Sequence, residues 1–201
     1  MNNDLLEKLL QSRKYREVCP DTVRRIWAEC SAKYRKPKEA DKAAREALHG
    51  VTGAFLTPAE ARACGINPLY LGARGIPTTG IDISGEAVGL VNAAGKTYGM
   101  PVEAICADLL CDNALPERRC DVALLFKVLP LLERQKNGSA SRLMRAIDAA
   151  HLVVSFPTRT LGGRNVGMAA HYSDWMAAHL PKNRHVAERF ETENELFFVI
   201  E

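Results

Sequence analysis

The sequence lacks any apolar run long enough to cross a membrane, and its cysteines form no CxxC pair. Hydrophobic residues make up 47% of its 201 positions, but charges interrupt them well before the ~20 consecutive apolar residues of a membrane span. The six cysteines are scattered among apolar residues, which favours reduced thiols over disulfides or zinc ligands. The first residues also lack the basic and apolar regions of a signal peptide. We therefore expect a cytoplasmic protein with no membrane partner and no metal.

A strong overall charge is also lacking, yet the small excess of +3 is unevenly distributed. Residues 1–50 contain 12 Lys and Arg against 8 Asp and Glu, whereas the rest of the chain contains 15 against 16. A basic segment on a near-neutral domain indicates an anionic macromolecule as partner. A solvated helical face would show the same charge, so both interpretations stay open at this point.

The basic segment has the apolar spacing of three helices. The apolar stripes run over residues 5–10, 23–34 and 40–48. The second stripe begins after Pro20, and the third lies between Pro37 and Gly50, residues that favour helix starts and ends. This pattern predicts a small helical bundle as an N-terminal module over residues 1–56. We expect Trp27 to lie in its core rather than on a base-stacking surface, and Arg24 and Arg25 to point mostly outward.

The rest of the chain, residues 57–201, alternates the patterns of strands and helices. Predicted strands cover 102–106, 120–126 and 152–156, predicted helices cover 87–98, 129–135, 139–150 and 171–179, and a final hairpin covers 185–190 and 196–200. The near-continuous apolar character of 120–126 predicts a strand buried on both faces. The order predicts an α/β, doubly wound (Rossmann-like) domain in the variant used by methyltransferases.

A first strand is missing from this pattern. The Gly turn at residues 63–68 should follow an apolar strand, but residues 57–62 read as the start of a helix, with Thr57 before Pro58 and a charged Arg62. We therefore expect that a stretch is absent between about Leu56 and Ala63.

The spacing of the Gly turn and two carboxylates predicts an adenosine site. Asp82 lies 17 residues after Gly65 in an apolar setting, and Asp108 follows further along. Such a turn lets backbone approach the ligand, and the first carboxylate binds the ribose hydroxyls. The second suits the exocyclic amine of adenine, which favours S-adenosylmethionine over NAD, because a full GxGxxG for pyrophosphate is absent. The predicted cofactor-binding residues are Ala63, Cys64, Gly65, Asn67, Asp82, Ile83, Asp108 and Leu109.

Five segments of the chain have a distinctive sequence, namely CPDTVRRI at 19–26, LHG at 48–50, ACGINPL at 63–69, FKVLPLLE at 126–133 and SFPTRTLGGR at 155–164. Together they resemble one known family, the aminoglycoside-resistance 16S ribosomal RNA methyltransferases of the ArmA/Rmt group. The resemblance implies methylation of N7 of a guanine in the decoding site of 16S rRNA, within the assembled small ribosomal subunit. It also implies that S-adenosylmethionine is the cofactor and that aminoglycoside resistance results. Family members carry a few dozen more residues before the Gly turn, and Ala61 stands where they have a strand-end Asp.

Lys127 and Arg164 are the candidate catalytic residues. Lys127 follows a predicted strand at the sheet edge where ligands bind, although a lysine extending from a strand end to solvent is the alternative. Arg164 lies in a glycine-containing loop, and residues 151–170 contain no acidic side chain, which suits RNA as well as a plain solvent loop. In the family, residues that match Lys127, Arg164 and Met168 contact the target nucleotide and its surroundings.

RNA docking is expected on the helical module, through Arg24 or Arg25 together with Arg45 and His49. Arg45 and His49 are four residues apart on one helix face and match family residues that dock this module on RNA. From the residues alone, a partly buried structural histidine is the favoured interpretation of His49, and the resemblance reverses it. Two other functions share these features, namely a nicotinamide-dependent reductase of the same fold class and a non-catalytic RNA-binding protein.

Overall fold

The structure is a computed structural model of the chain, and it describes residues 3–53, 67–158 and 168–201. It divides into two compact units, Met1–Cys111 and Asp112–Glu201. In the described residues, the first unit holds a group of helices and a two-stranded sheet, and the second holds a four-stranded sheet. Across these three ranges, no helix combines the length and the apolar character needed to cross a membrane.

Three helices form the N-terminal part of the first unit, namely α1 (Asn3–Leu10), α2 (Pro20–Lys33) and α3 (Pro37–Gly53). Pro20 and Pro37 each open a helix, at a position where the missing N–H would have no partner within the helix. The apolar stripes pack into one core in which Leu9, Trp27 and Leu48 are at most 2% exposed. The predicted bundle is confirmed, and Trp27 is a core residue.

A parallel β-α-β unit follows the bundle. It consists of α4 (Asn67–Gly72), β1 (Thr78–Asp82), α5 (Gly85–Tyr98) and β2 (Val102–Cys106). β1 and β2 pair in parallel, from Thr78 opposite Val102 to Asp82 opposite Cys106. The crossover helix α5 packs closely because Gly95 has no side chain, and a Cβ there would lie only 2.6 Å from a methyl carbon of Val102.

The second unit is a four-stranded sheet with three described helices. Its elements are β3 (Cys120–Phe126), α6 (Leu129–Gln135), α7 (Ser139–Ala146), β4 (Ala149–Pro157), α8 (Met168–His179), β5 (Val186–Glu191) and β6 (Glu195–Ile200). The strand order is β3-β4-β6-β5. β3 and β4 pair in parallel, and β6 pairs antiparallel with both β4 and β5. Leu152, Val154 and Phe156 of β4 are fully buried, as predicted for a central strand.

The two sheets are separate within the described residues. β2 and β1 form one sheet and β3 and β4 begin the other, and no strand within the described residues pairs with the second edge of β1 or of β3. The expected absence of a first strand stays a prediction. Residues 57–62, which the sequence assigned to a helix start, lie outside the described residues.

β3 departs from the predicted burial. The sequence predicts a strand covered on both faces, yet Val122 is 48% exposed and Leu124 is 40% exposed. The prediction was wrong for this strand, because within the described residues β3 is an edge strand of its four-stranded sheet, whereas a near-continuous apolar run is typical of a strand covered on both faces.

Candidate cofactor and RNA-binding site

Asp82 and Asp108 lie at the carboxyl ends of the two neighbouring parallel strands of the first unit. Asp82 is the last residue of β1, and Asp108 follows β2. The two loops are joined by a backbone hydrogen bond in which the Ala107 N–H donates to the Asp82 carbonyl at 3.0 Å. Because ligands of open α/β sheets bind beyond the carboxyl ends of the strands, both predicted carboxylates lie at the edge where the sequence places the cofactor.

The carboxylate of Asp82 is exposed and is oriented by its own loop. One carboxylate oxygen accepts a hydrogen bond from the Ser84 N–H at 2.7 Å. The Ser84 hydroxyl in turn caps α5 by accepting from the Ala87 N–H at 3.3 Å. The helix cap therefore fixes the loop that carries the side chain, as a preorganised binding carboxylate requires.

Asp108 is buried, with 4% of its side chain exposed, and its partners are defined. One oxygen accepts from the Leu110 N–H at 2.9 Å, and the other accepts from Nε of Arg25 at 2.8 Å. The expectation that Arg25 points outward was wrong, because only 15% of its side chain is exposed and its guanidinium lies on Asp108. Burial opposes the charge of Arg25, but the hydrogen bonds and charges of Asp108 and Glu29 outweigh it and raise its pKa.

The segment before α2 also holds the loop after β1. The Cys19 N–H donates to the Ile83 carbonyl at 2.7 Å, and the Gly85 N–H donates to the Glu17 carbonyl at 2.7 Å. Val18 and Ser84 form an isolated antiparallel bridge between these two bonds. The helical module is thus attached by backbone bonds to the Asp82 loop and by Arg25 to the Asp108 loop.

Lys127, directly after β3, has an unusual backbone conformation. Its φ of 58° is the only positive φ of a non-glycine residue among the described parts of the chain. The left-handed region is unfavourable for a residue with a Cβ, and such strain is concentrated at functional sites. The Lys127 N–H donates to the Ser155 carbonyl of β4 at 3.0 Å, so this hydrogen bond holds the turn after β3 against β4. The strain agrees with a functional role at this position.

No local sequence pattern indicates the partner of Lys127. The ammonium group lies 2.5 Å from a carboxylate oxygen of Glu195, the first residue of β6, and the two side chains are 52% and 24% exposed. The contact depends on β4 and β6 being neighbours in the sheet, which cannot be seen in the local sequence. The contact with Glu195 limits the positions that the ammonium group can take.

The structure also places one flank of the segment that contains Arg164. Met168 is the first residue of α8 and is half-buried. Aromatic contacts hold α8 to β4. The ring of Phe156 stacks on that of Tyr172, with 4.7 Å between the ring centroids, and it meets the ring of Trp175 edge-on, with 5.4 Å between the centroids. Arg164 itself lies outside the described residues. So do Ala63, Cys64 and Gly65, whereas Asn67 is described only as the first residue of α4.

The predicted docking residues of α3 share a basic surface with a lysine that the sequence did not single out. Arg45 and His49 both lie on α3, and Nζ of Lys14 lies 2.6 Å from Nε2 of His49. An ammonium group can only donate, so Nε2 accepts. The Tyr15 ring meets His49 edge-on at 6.1 Å. Nε of Arg45 donates a hydrogen bond to the Asp41 carboxylate at 2.9 Å. This bond orients the Arg45 side chain and raises the pKa of Arg45.

This arrangement is matched by known proteins along nearly the whole chain. A family model described as "Ribosomal RNA methyltransferase (FmrO)" matches residues 57–199. The chain belongs to this family. The 16S rRNA (guanine(1405)-N(7))-methyltransferase of Serratia marcescens is 33% identical, over 98% of this chain and 97% of its own length.

Solved structures give the same family. The 16S rRNA methyltransferase RmtF in complex with S-adenosyl-L-homocysteine is 37% identical, with a TM-score of 0.82 over 99% of this chain and 97% of that chain. The 16S rRNA methylase RmtB is 30% identical, with a TM-score of 0.84 over the same shares. The predicted Rossmann-like methyltransferase fold is confirmed. Membership of this family excludes the nicotinamide-dependent reductase.

The Serratia relative is longer than this chain at internal positions. The alignment with the Serratia protein extends over 246 positions, while 98% of this chain is about 197 residues, so about 49 positions of that alignment have no residue here. A shortfall of this size was expected from the resemblance. Its predicted place, between about Leu56 and Ala63, stays a prediction.

The described residues fit the adenosine part of S-adenosylmethionine. Asp82 presents an exposed carboxylate for the ribose hydroxyls. Asp108 accepts two hydrogen bonds from the protein, whereas a carboxylate has about four acceptor sites, so acceptor capacity remains for an exocyclic amine. The two loops are joined at the carboxyl edge of parallel strands, as an adenosine requires.

Proposed function

We propose that this FmrO-family protein transfers a methyl group from S-adenosylmethionine to N7 of a guanine in the decoding site of 16S rRNA. The substrate would be the assembled small ribosomal subunit in the cytoplasm, and the modification would give aminoglycoside resistance. The observation that carries the proposal is the joined pair of loops bearing Asp82 and Asp108, in a chain whose relatives are named for this reaction.

The proposed chemistry needs positioning rather than a general base. Guanine N7 has an in-plane lone pair that is free of Watson–Crick pairing, and no proton leaves N7 when it is methylated. When bound, S-adenosylmethionine supplies an electrophilic methyl group on a sulfonium that becomes neutral. The chain therefore has to extrude the guanine from its helix, align N7 with the methyl group and accommodate positive charge on the base.

We assign these tasks to the RNA side of the site. Lys127, held by Glu195 at 2.5 Å, would bind guanine O6 or a flanking phosphate as a cation. Arg164 would act in the same way, because a guanidinium stays charged and cannot take a proton. Met168 would supply apolar contact beside the base. Arg24, Arg45 and His49 would hold the helical module on RNA phosphates.

A non-catalytic RNA-binding protein remains the second candidate. It is favoured by one observation, namely that about 49 positions of the alignment with the Serratia relative have no residue in this chain. Such a protein would keep the basic module but would not transfer a methyl group. This alternative and the proposed enzyme predict opposite results in one assay.

The test is single-turnover methylation of purified small subunits with labelled S-adenosylmethionine, followed by mapping of N7-methylguanine by reverse transcription and strand cleavage. We expect one methylated guanine in the decoding site, and much less methylation of naked 16S rRNA. RNA binding without transfer would support the second candidate. Transfer to an adenine, or to a free oligonucleotide as readily as to the subunit, would exclude the proposed reaction.

A further inference from the structure

Arg25 is a partly buried arginine in a module whose other basic residues are more exposed. Its side chain is 15% exposed, whereas its neighbour Arg24 is 56% exposed and pairs with Asp21 at the surface. Arg25 contacts two carboxylates, Asp108 at 2.8 Å and Glu29 at 3.1 Å. A side chain in this position is poorly placed to bind an RNA phosphate, so its role has to be sought in its contact with Asp108.

The contact with Arg25 fixes the direction of the Asp108 carboxylate. One oxygen is held by the Leu110 N–H, and the other by Nε of Arg25. A carboxylate held at both oxygens cannot rotate freely, and the planar guanidinium sets a defined geometry. With Arg25 removed, one oxygen of the buried Asp108 carboxylate would lose its hydrogen bond, and the carboxylate would lose its fixed direction.

Stability alone is a weak reason for this ion pair. Moving two charges out of water costs much of what their attraction returns, and a well-packed apolar pair of similar size is often as stable. The pair does provide a fixed, negatively charged acceptor on the loop that follows β2. An acceptor of this kind is what the exocyclic amine of adenine needs.

We propose that Arg25 is a positioning residue for the cofactor, which holds the Asp108 carboxylate oriented toward the adenine amine. The inference rests on the cofactor part of the proposed function. It assigns Arg25 to cofactor binding instead of RNA docking, and it makes the helical module a structural part of the adenosine site.

The test compares two ligands that differ at the adenine amine. S-adenosylhomocysteine carries the amine, whereas S-inosylhomocysteine carries a carbonyl oxygen that would face Asp108 without a proton to donate. Calorimetric titration of the wild-type protein should show a preference of at least about tenfold for the adenosyl ligand. Arg25→Met should weaken the adenosyl ligand by about tenfold and the inosyl ligand much less, so that the preference collapses.

Arg25→Lys provides a readout that a purely structural role would not change. Lysine keeps the charge but not the fixed geometry, so Arg25→Lys should retain an intermediate preference for the adenosyl ligand. If Arg25→Met does not fold, Arg25→Gln in the same two titrations replaces it.

Arg16→Met is the matched control. Arg16 belongs to the same module and pairs with Glu17 at 2.9 Å, but its side chain is 65% exposed, so the substitution should leave both affinities unchanged. Equal weakening of the two ligands by Arg25→Met, unchanged affinities, or tighter binding would each overturn the inference. A wild-type protein that binds neither ligand would overturn both the inference and the proposed function. Adenosyl-selective binding that depends on Arg25, without methylation of subunits, would remove the proposed function alone.

Discussion

Lys127 offers a way to separate function from stability at one position. Its φ of 58° should favour glycine, and its ion pair with Glu195 is half-exposed. Lys127→Gly relieves the left-handed strain, whereas Lys127→Ala keeps the strain and loses the ion pair. If Lys127 acts on the RNA side of the transferred methyl, both variants should lose activity although their stabilities differ.

The magnitudes follow from the contacts. Relief of the left-handed conformation should stabilise Lys127→Gly by about 1–2 kcal/mol, while the greater freedom of glycine in the unfolded chain costs about 0.5–1 kcal/mol. Loss of a half-exposed ion pair costs up to about 1 kcal/mol. The free energy of unfolding of Lys127→Gly should therefore lie within about 1 kcal/mol of wild type, and Lys127→Ala should be less stable by up to about 1 kcal/mol.

The assay pairs denaturant unfolding with single-turnover methylation of small subunits. Both variants should lose at least about tenfold in methyl transfer, equivalent to about 1.4 kcal/mol of transition-state stabilisation, with little change in S-adenosylmethionine affinity. Lys127→Arg, which keeps the cation, should lose less. Wild-type transfer by either variant, or losses that follow the order of stability, would refute the assigned role.

Three further changes test other parts of the site. Asp82→Ala should weaken S-adenosylmethionine binding by about 2–3 kcal/mol in calorimetry. The control Asp112→Ala, which changes a side chain that is 87% exposed, should leave the affinity unchanged. If a folded Asp82→Ala variant binds the cofactor as tightly as wild type, Asp82 does not belong to the site. Arg24→Ala combined with Arg45→Ala should flatten the salt dependence of subunit binding by about one unit of slope per lost phosphate contact, and an unchanged slope would contradict docking through these residues. Burial and the neighbouring Cys19 thiol raise the pKa of Cys106 from 9.0 to about 12. Because this thiol ionises at a lower pH in the unfolded chain than in the folded protein, the free energy of unfolding should fall as pH rises from about 9 to about 12. A Cys106→Ala variant with the same alkaline unfolding curve as wild type would exclude this cause.

Local patterns predicted the elements whose signals are contained in a few residues. The strand at 120–126 and the helix at 129–135 have the bounds expected from their apolar runs and flanking residues. The helix predicted to run to Ala150 ends at Ala146, because Ala149 already pairs with Cys120 in the sheet. Strand pairing overrode the helical propensity of the alanines there, a tertiary effect that no local pattern contains.

The site was predictable where a residue's own position decides its role. Asp82 and Asp108 could be located because strand ends are visible in the sequence. The partners of such residues were not predictable, since Arg25 and Asp108 are 83 positions apart and Glu195 reaches Lys127 only through the order of strands in the sheet. Amphipathic spacing placed Arg25 on the polar side of α2, but a polar side can face a carboxylate of another element as readily as water.

The same long-range contacts bear on how a shortened chain could keep an adenosine site. In a doubly wound sheet the central strands normally support the loops at their carboxyl ends, and here β1 has no described partner on its second edge. Its loop is nevertheless held from the other direction, by the backbone bonds of Glu17 and Cys19, and the Asp108 loop is held by Arg25. These bonds come from a helical module with a buried core of its own, so the orientation of both carboxylates depends on the module more than on the sheet. Cofactor binding and RNA docking would then share one support, and a substitution that loosens the α2 core should impair both together.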